Sequence, residues 1–188
     1  MRIAVVDHGM GNLRSVAKAL EAAGGEVVVT SEATELERAE ALCVPGQGIF
    51  GRCMNSLTTR GLDDLIRSWV RDERPYLGIC LGMQILFSAS EERGPIEGLG
   101  LLDGRVTKLP PGVTVPHIGW NVVHDDYFYF DHSYAVHPDD DDIVSGWCEH
   151  GARFAAAIDA GSITGVQFHP EKSSTAGLRL LGEWIDRW

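Results

Sequence analysis

Tyr76-Leu77-Gly78-Ile79-Cys80-Leu81-Gly82-Met83-Gln84 is the stretch on which the reading of this chain turns. An apolar strand, Tyr76–Ile79, runs into Gly-x-Cys-x-Gly, and a helix-like segment, Leu81–Ser88, leaves it. A strand that turns sharply into a helix forces the corner residue out of the common backbone regions. Glycines on either side admit the turn because they carry no Cβ to collide. This is the form of a nucleophile elbow with cysteine at its tip. A helix N-terminus beside a thiol is a setting that activates it as a nucleophile. On these five residues alone, a structural cysteine wedged between packing glycines fits equally well. Cys43, Cys53 and Cys148 lack the setting, show no CxxC spacing, and read as reduced structural thiols.

Strand and helix signals alternate upstream. Ile3–Val6 reads as a buried strand. Leu13, Val16, Ala17 and Leu20 recur at helical spacing until Gly24-Gly25. Val27–Val29 and Ala41–Val44 read as strands, Glu32–Ala39 as a short helix, and Leu62, Leu65, Ile66, Trp69 and Val70 as one helix face. Such alternation predicts a parallel sheet covered on both faces. Downstream, from Gly104 to Gln167, short strands dominate: Val106–Leu109, His117–Val123, Tyr127–Phe130, Ile143–Trp147, Phe154–Ile158 and Ile163–Phe168. The aromatic run Tyr127–Phe130 is expected to pack. A last helix, Thr175–Trp188, is expected to bury Leu178, Leu181, Ile185 and Trp188. The expected fold is α/β in three layers. It has a mixed, mostly parallel central sheet, helices on both faces and a smaller antiparallel extension, as a single domain over 1–188.

The 188 residues carry 27 acidic and 16 basic side chains, a formal charge of -11. That balance repels phosphate backbones and anionic membranes, so no nucleic acid and no membrane are expected as partners. The opening MRIAVVDHG is too short an apolar run for a signal peptide, no stretch is long enough to span a bilayer, and a cytoplasmic location is expected. Asp139–Asp142 lacks the alternation and glycine of a calcium loop. The seven histidines show no zinc spacing, so no metal is expected. Gly9-Met10-Gly11 begins like a dinucleotide fingerprint, but Arg14 stands where its third glycine belongs. No cofactor is called for.

Two further motifs complete the chemistry. Gln167-Phe168-His169-Pro170-Glu171-Lys172 ends a strand with a histidine and places a carboxylate two residues on. A cysteine nucleophile needs a base, and the base needs an orienting acid. Val44-Pro45-Gly46-Gln47-Gly48 is a strand-ending turn able to aim backbone N–H groups at an anion.

In this order, PGQG, GICLGMQ and QFHPEKS resemble the class I glutamine amidotransferases. DHGMGNL (7–13), SEE (90–92), GLGLLDG (98–104), PHIGWN (116–121) and DHSY (131–134) make the resemblance closest to the glutaminase subunits of imidazole glycerol phosphate synthases. It covers nearly the whole chain. The resemblance implies a Cys-His-Glu triad of Cys80, His169 and Glu171. It implies oxyanion donors at Leu81 and in Gly46-Gln47-Gly48, and L-glutamine held by Gln84, Glu92, Ser133 and Tyr134. It also implies a heterodimer with a (β/α)8-barrel cyclase subunit, met by Asn12, Tyr134 and Lys172. The family usually has Tyr at His8 and a small apolar residue at Gln47.

Overall fold

The computed structural model describes all 188 residues, Met1–Trp188. The first half alternates β1 (Arg2–Val6), α1 (Leu13–Ala22), β2 (Glu26–Thr30), α2 (Ala33–Glu37), β3 (Ala41–Gly46), α3 (Phe50–Thr59), α4 (Leu62–Arg71), β4 (Tyr76–Cys80) and the one-turn α5 (Leu81–Gln84). Then follow β5 (Phe87–Ser90), β6 (Ile96–Glu97), β7 (Leu102–Lys108), β8 (His117–Val123), β9 (Asp126–His132), β10 (Tyr134–Pro138), β11 (Val144–Glu149), β12 (Arg153–Ala160), β13 (Ile163–Val166) and α6 (Ser174–Asp186).

The main sheet runs β2-β1-β3-β4-β13-β12-β10-β7-β5-β6, with β11 beside β12. Its β2-to-β13 half is parallel throughout. From β13 through β12 and β10 to β7 the pairing is antiparallel. β8 and β9 form a separate hairpin. Alternation along the parallel strands feeds two cores. Ala4, Val6, Leu42 and Val44 join α3 and α4 on one face. Ile3, Val5, Ala41 and Cys43 join α1 and α6 on the other. Burial on both faces is why these strands read as unbroken apolar runs. The expected three-layer α/β architecture is the one observed.

Local expectations fail in four places. Leu81–Ser88 is not one helix. After Gln84 the chain is drawn into loop and sheet pairing, with Leu99 N–H donating to Ile85 O, Leu101 N–H to Leu86 O, and Phe87 opposite Leu102. Helix α3 went unread, although Phe50, Cys53, Met54 and Leu57 bury one helical face. In α6 Leu181 and Ile185 are buried as expected, but they are joined by Gly177 and Trp184, while Leu178, and Trp188 beyond the helix, are exposed. Gly177 sets that rotation, since its backbone packs directly on the Pro170 carbonyl. Finally, Phe128 and Phe130 are buried but Tyr127 points to solvent, as period-two alternation requires.

Candidate active site

Cys80 ends β4 with φ 54° and ψ −107°, a strained conformation for a residue with a Cβ. Its flanking glycines are required by contact. A Cβ on Gly78 would lie 2.6 Å from the Gly82 carbonyl oxygen and 2.8 Å from Met83 N, and one on Gly82 would strike the Val44 carbonyl of β3. α5 is only four residues long, so its dipole at Cys80 is weaker than a full helix would supply.

Parallel pairing of β13 with β4, Val166 opposite Ile79, brings His169 to the same end of the central strands as Cys80. His169 Nδ1 is 2.9 Å from Glu171 Oε1, and both side chains are 2% exposed. His169 Nε2 is buried with no well-formed hydrogen bond. Burial pulls the His169 pKa down, but the Cys80 sulfur and then the Glu171 carboxylate outweigh it and raise it to about 9. Burial holds the Cys43 thiol far above its usual range and pushes Cys53 and Cys148 up to about 12. Those three stay inert thiols, and all four cysteines are free.

A cavity of about 210 Å3 opens at Cys80. Gln47 and Gly48 form one side of it, Leu81 and Gln84 the floor beside the sulfur, and Glu92, Ser133 and Tyr134 also line it. Gly46 stands behind this wall, where a Cβ would lie 2.8 Å from Leu81 Cβ. Glu92 Oε2 accepts from Phe50 N–H at 2.7 Å, fixing that carboxylate at the start of α3. Asn12 and Lys172 lie away from the cavity. Asn12 caps α1, accepting from Ser15 N–H at 3.3 Å, and the Lys172 ammonium sits 5.6 Å from the Tyr129 ring centroid. His8 is fully buried, with Nε2–H donating to Pro45 O at 2.6 Å. It thereby anchors the strand end that leads to Gln47. No group of three His, Cys, Asp or Glu side chains is gathered as a metal site.

Sequence reasoning missed two contributors. Gln167, completely buried, donates from Nε2 to Cys80 Sγ at 3.4 Å and accepts from Gln84 Nε2 at 2.9 Å. His132 lines the cavity; its Nδ1–H donates to Tyr134 O at 2.9 Å, and its Nε2 takes the proton of His117 Nδ1, also at 2.9 Å. The register that sets His117 opposite His132 could have exposed the pair.

The family model for glutamine amidotransferase class-I matches residues 4–183. This chain belongs to the class I glutamine amidotransferase family. Relatives of this amidotransferase include the imidazole glycerol phosphate synthase subunit HisH of Symbiobacterium thermophilum, 44% identical over 97% of this chain and 92% of that one. The subunit of the same name from Moorella thermoacetica is 46% identical over 95% and 91%. Among solved structures, a glutamine amidotransferase superposes with a TM-score of 0.76 at 22% identity, covering 98% of each chain. PurLQS from Thermotoga maritima gives 0.74 at 19%, covering 99% of this chain and 97% of that one. These last two speak for the fold.

Proposed function

We propose that this amidotransferase is the glutaminase subunit of an imidazole glycerol phosphate synthase. It hydrolyses L-glutamine and passes ammonia to a (β/α)8-barrel cyclase partner. The observation that carries the reading is the meeting of Cys80, His169 and Glu171 at the ends of β4 and β13, with Cys80 lining the cavity. Cys80 Sγ attacks the carboxamide carbon, and the carbonyl π pair moves onto oxygen. Backbone N–H groups of Leu81 and Gln47 are the proposed oxyanion donors, each contributing about 3 kcal/mol. The C–N bond then breaks. His169, an imidazolium at neutral pH, gives the nitrogen its proton, and ammonia leaves a glutamyl thioester. Water attacks the thioester, His169 takes the water proton, and glutamate departs. Glu171 keeps Nδ1 of His169 oriented. Gln84, Glu92, Ser133 and Tyr134 are the proposed contacts to the amino-acid head group.

Ammonia released into water is protonated and loses its nucleophilicity, so the product is useful only to a docked acceptor. An exposed apolar strand supports such docking: Ile118 is 58% and Trp120 54% exposed on β8, next to cavity-lining Pro116. Asn12, Tyr134 and Lys172 are proposed to meet the same partner. The test combines this chain with the cyclase and the cyclase's nucleotide ligand and measures glutamate release. We expect little hydrolysis by the isolated chain and a large rise in the complex. Cys80→Ala is expected to eliminate hydrolysis while still co-purifying with the cyclase; full activity in that variant would overturn the reading.

A further inference from the structure

We propose that Gln167 is a catalytic residue for glutamine hydrolysis, its side-chain N–H holding the Cys80 sulfur and stabilising negative charge on it. The proposal rests on the glutaminase reading above and adds a fourth side chain to its chemistry.

The orientation of the Gln167 carboxamide is fixed by its neighbours. Gln84 Nε2 lies 3.0 Å from Tyr134 O and 2.9 Å from Gln167 Oε1. A carbonyl only accepts, so the Gln84 atom beside Tyr134 must be its NH2 group. That same nitrogen faces Gln167, so the Gln167 atom it meets must be the oxygen. Nε2 is then left to point at Cys80 Sγ, 3.4 Å away. The anchor is itself tied down, since Tyr134 O also accepts from His132 Nδ1–H at 2.9 Å. Flipping the Gln167 amide would break its bond with Gln84 and face an oxygen to the sulfur, leaving a buried donor unpaired. The donor is therefore preorganised toward the reacting atom.

The sulfur carries charge at two points in the cycle. It is an anion before it attacks, and again when water has added to the thioester and the C–S bond breaks, returning the bonding pair to sulfur. In the thioester itself the sulfur is neutral and accepts weakly. A fixed N–H at this position favours the anion, and so promotes departure of sulfur in the second step. Gln84, acting through Gln167, is a positioning residue.

The test compares wild type, Gln167→Glu and Gln167→Met in complex with the cyclase and its ligand. Gln167→Glu keeps the acceptor for Gln84 but faces an anion to the sulfur. Gln167→Met keeps the volume and removes the donor. We expect kcat to fall about ten- to a hundredfold, the range of one hydrogen bond to a charged group, with KM no higher. Alkylation of Cys80 by iodoacetamide is expected to slow, and a glutamyl adduct on Cys80 to accumulate in acid-quenched intact-mass spectra. Thermal melts check the fold of each variant, and Gln167→Glu carries the test if the Met variant does not fold. Either result overturns the proposal: kcat and alkylation within twofold of wild type, or a loss residing wholly in KM with no adduct. If the wild-type complex releases no glutamate, the glutaminase reading fails instead, while the alkylation comparison still decides whether Gln167 acts on Cys80.

Discussion

Two buried histidines lie beside Cys80 and have opposite characters. His169, on the turn after the parallel strand β13, is raised to about 9. His132, at the end of the β8–β9 hairpin, is lowered to about 3. Burial acts downward on both. The difference lies in what each ring meets: His169 faces the Cys80 sulfur and the Glu171 carboxylate, whereas His132 faces a carbonyl, His117 and the positive fields of His150 and His169. Negative partners make one histidine a proton donor at neutral pH. Their absence makes the other a neutral strut of fixed tautomer. Charge at the contact, not depth, separates a reacting group from a supporting one.

The comparison breaks most severely if the carboxylate is removed. Glu171→Gln leaves His169 with burial and Cys80 alone, so its pKa is expected to fall below about 9. Glutamine hydrolysis should drop about a hundredfold or more, with the pH–rate profile displaced; an unmoved profile would show that Glu171 does not set the histidine.

A smaller effect is a two-sided pH dependence of stability. The raised pKa of His169 contributes stability that is full below the unfolded value of about 6.5 and is lost as pH climbs toward 9. His132 and His117, lowered to about 3 and about 4, bind fewer protons folded than unfolded, so stability is lost as pH falls from about 6.5 toward those values. Melting temperature should therefore peak near neutral to slightly acid pH. His132→Gln should weaken the acid limb, leaving the share of His117, and leave the alkaline one; thermal melts across pH 4–9 would show either limb missing.

The smallest effect comes at the far end of the imidazole pair. Asn121 Nδ2–H donates to His117 Nε2 at 3.3 Å and to Glu149 O at 2.9 Å. Asn121→Ala is expected to cost about 1 kcal/mol, read by denaturant titration, with the His169 limb unchanged. A shift of that limb would couple the two histidines more tightly than their contacts do.

What the sequence disclosed divides along the same line. The elbow was legible because its requirement is local: Gly78 and Gly82 answer a collision within five residues. The strands β1, β3 and β4 were legible because burial on both faces spells continuous apolar runs, whereas the parallel pairing of β13 with β4 was not, because it joins segments far apart in the chain. His169 and Glu171 stood out because both partners occupy one short turn. Gln167 was invisible because its meaning lies in Cys80, 87 positions away. In α6 Leu181 and Ile185 were legible, but Leu178 was not placed outside because the close backbone packing of Gly177 on Pro170 sets that face of the helix.

The central position of β13 bears on how the molecule is made. β13 follows every other strand of the sheet in chain order, yet it lies between β4 and β12 in the middle of the sheet. Until Ile163–Val166 emerge, both neighbours present an unpaired edge at the heart of the molecule, the kind of surface that recruits strands from other chains. The same segment, continuing to His169, brings that imidazole to Cys80. The meeting of His169 with Cys80 and the closing of the sheet therefore arrive in one event, and a chain that lacks β13 has neither.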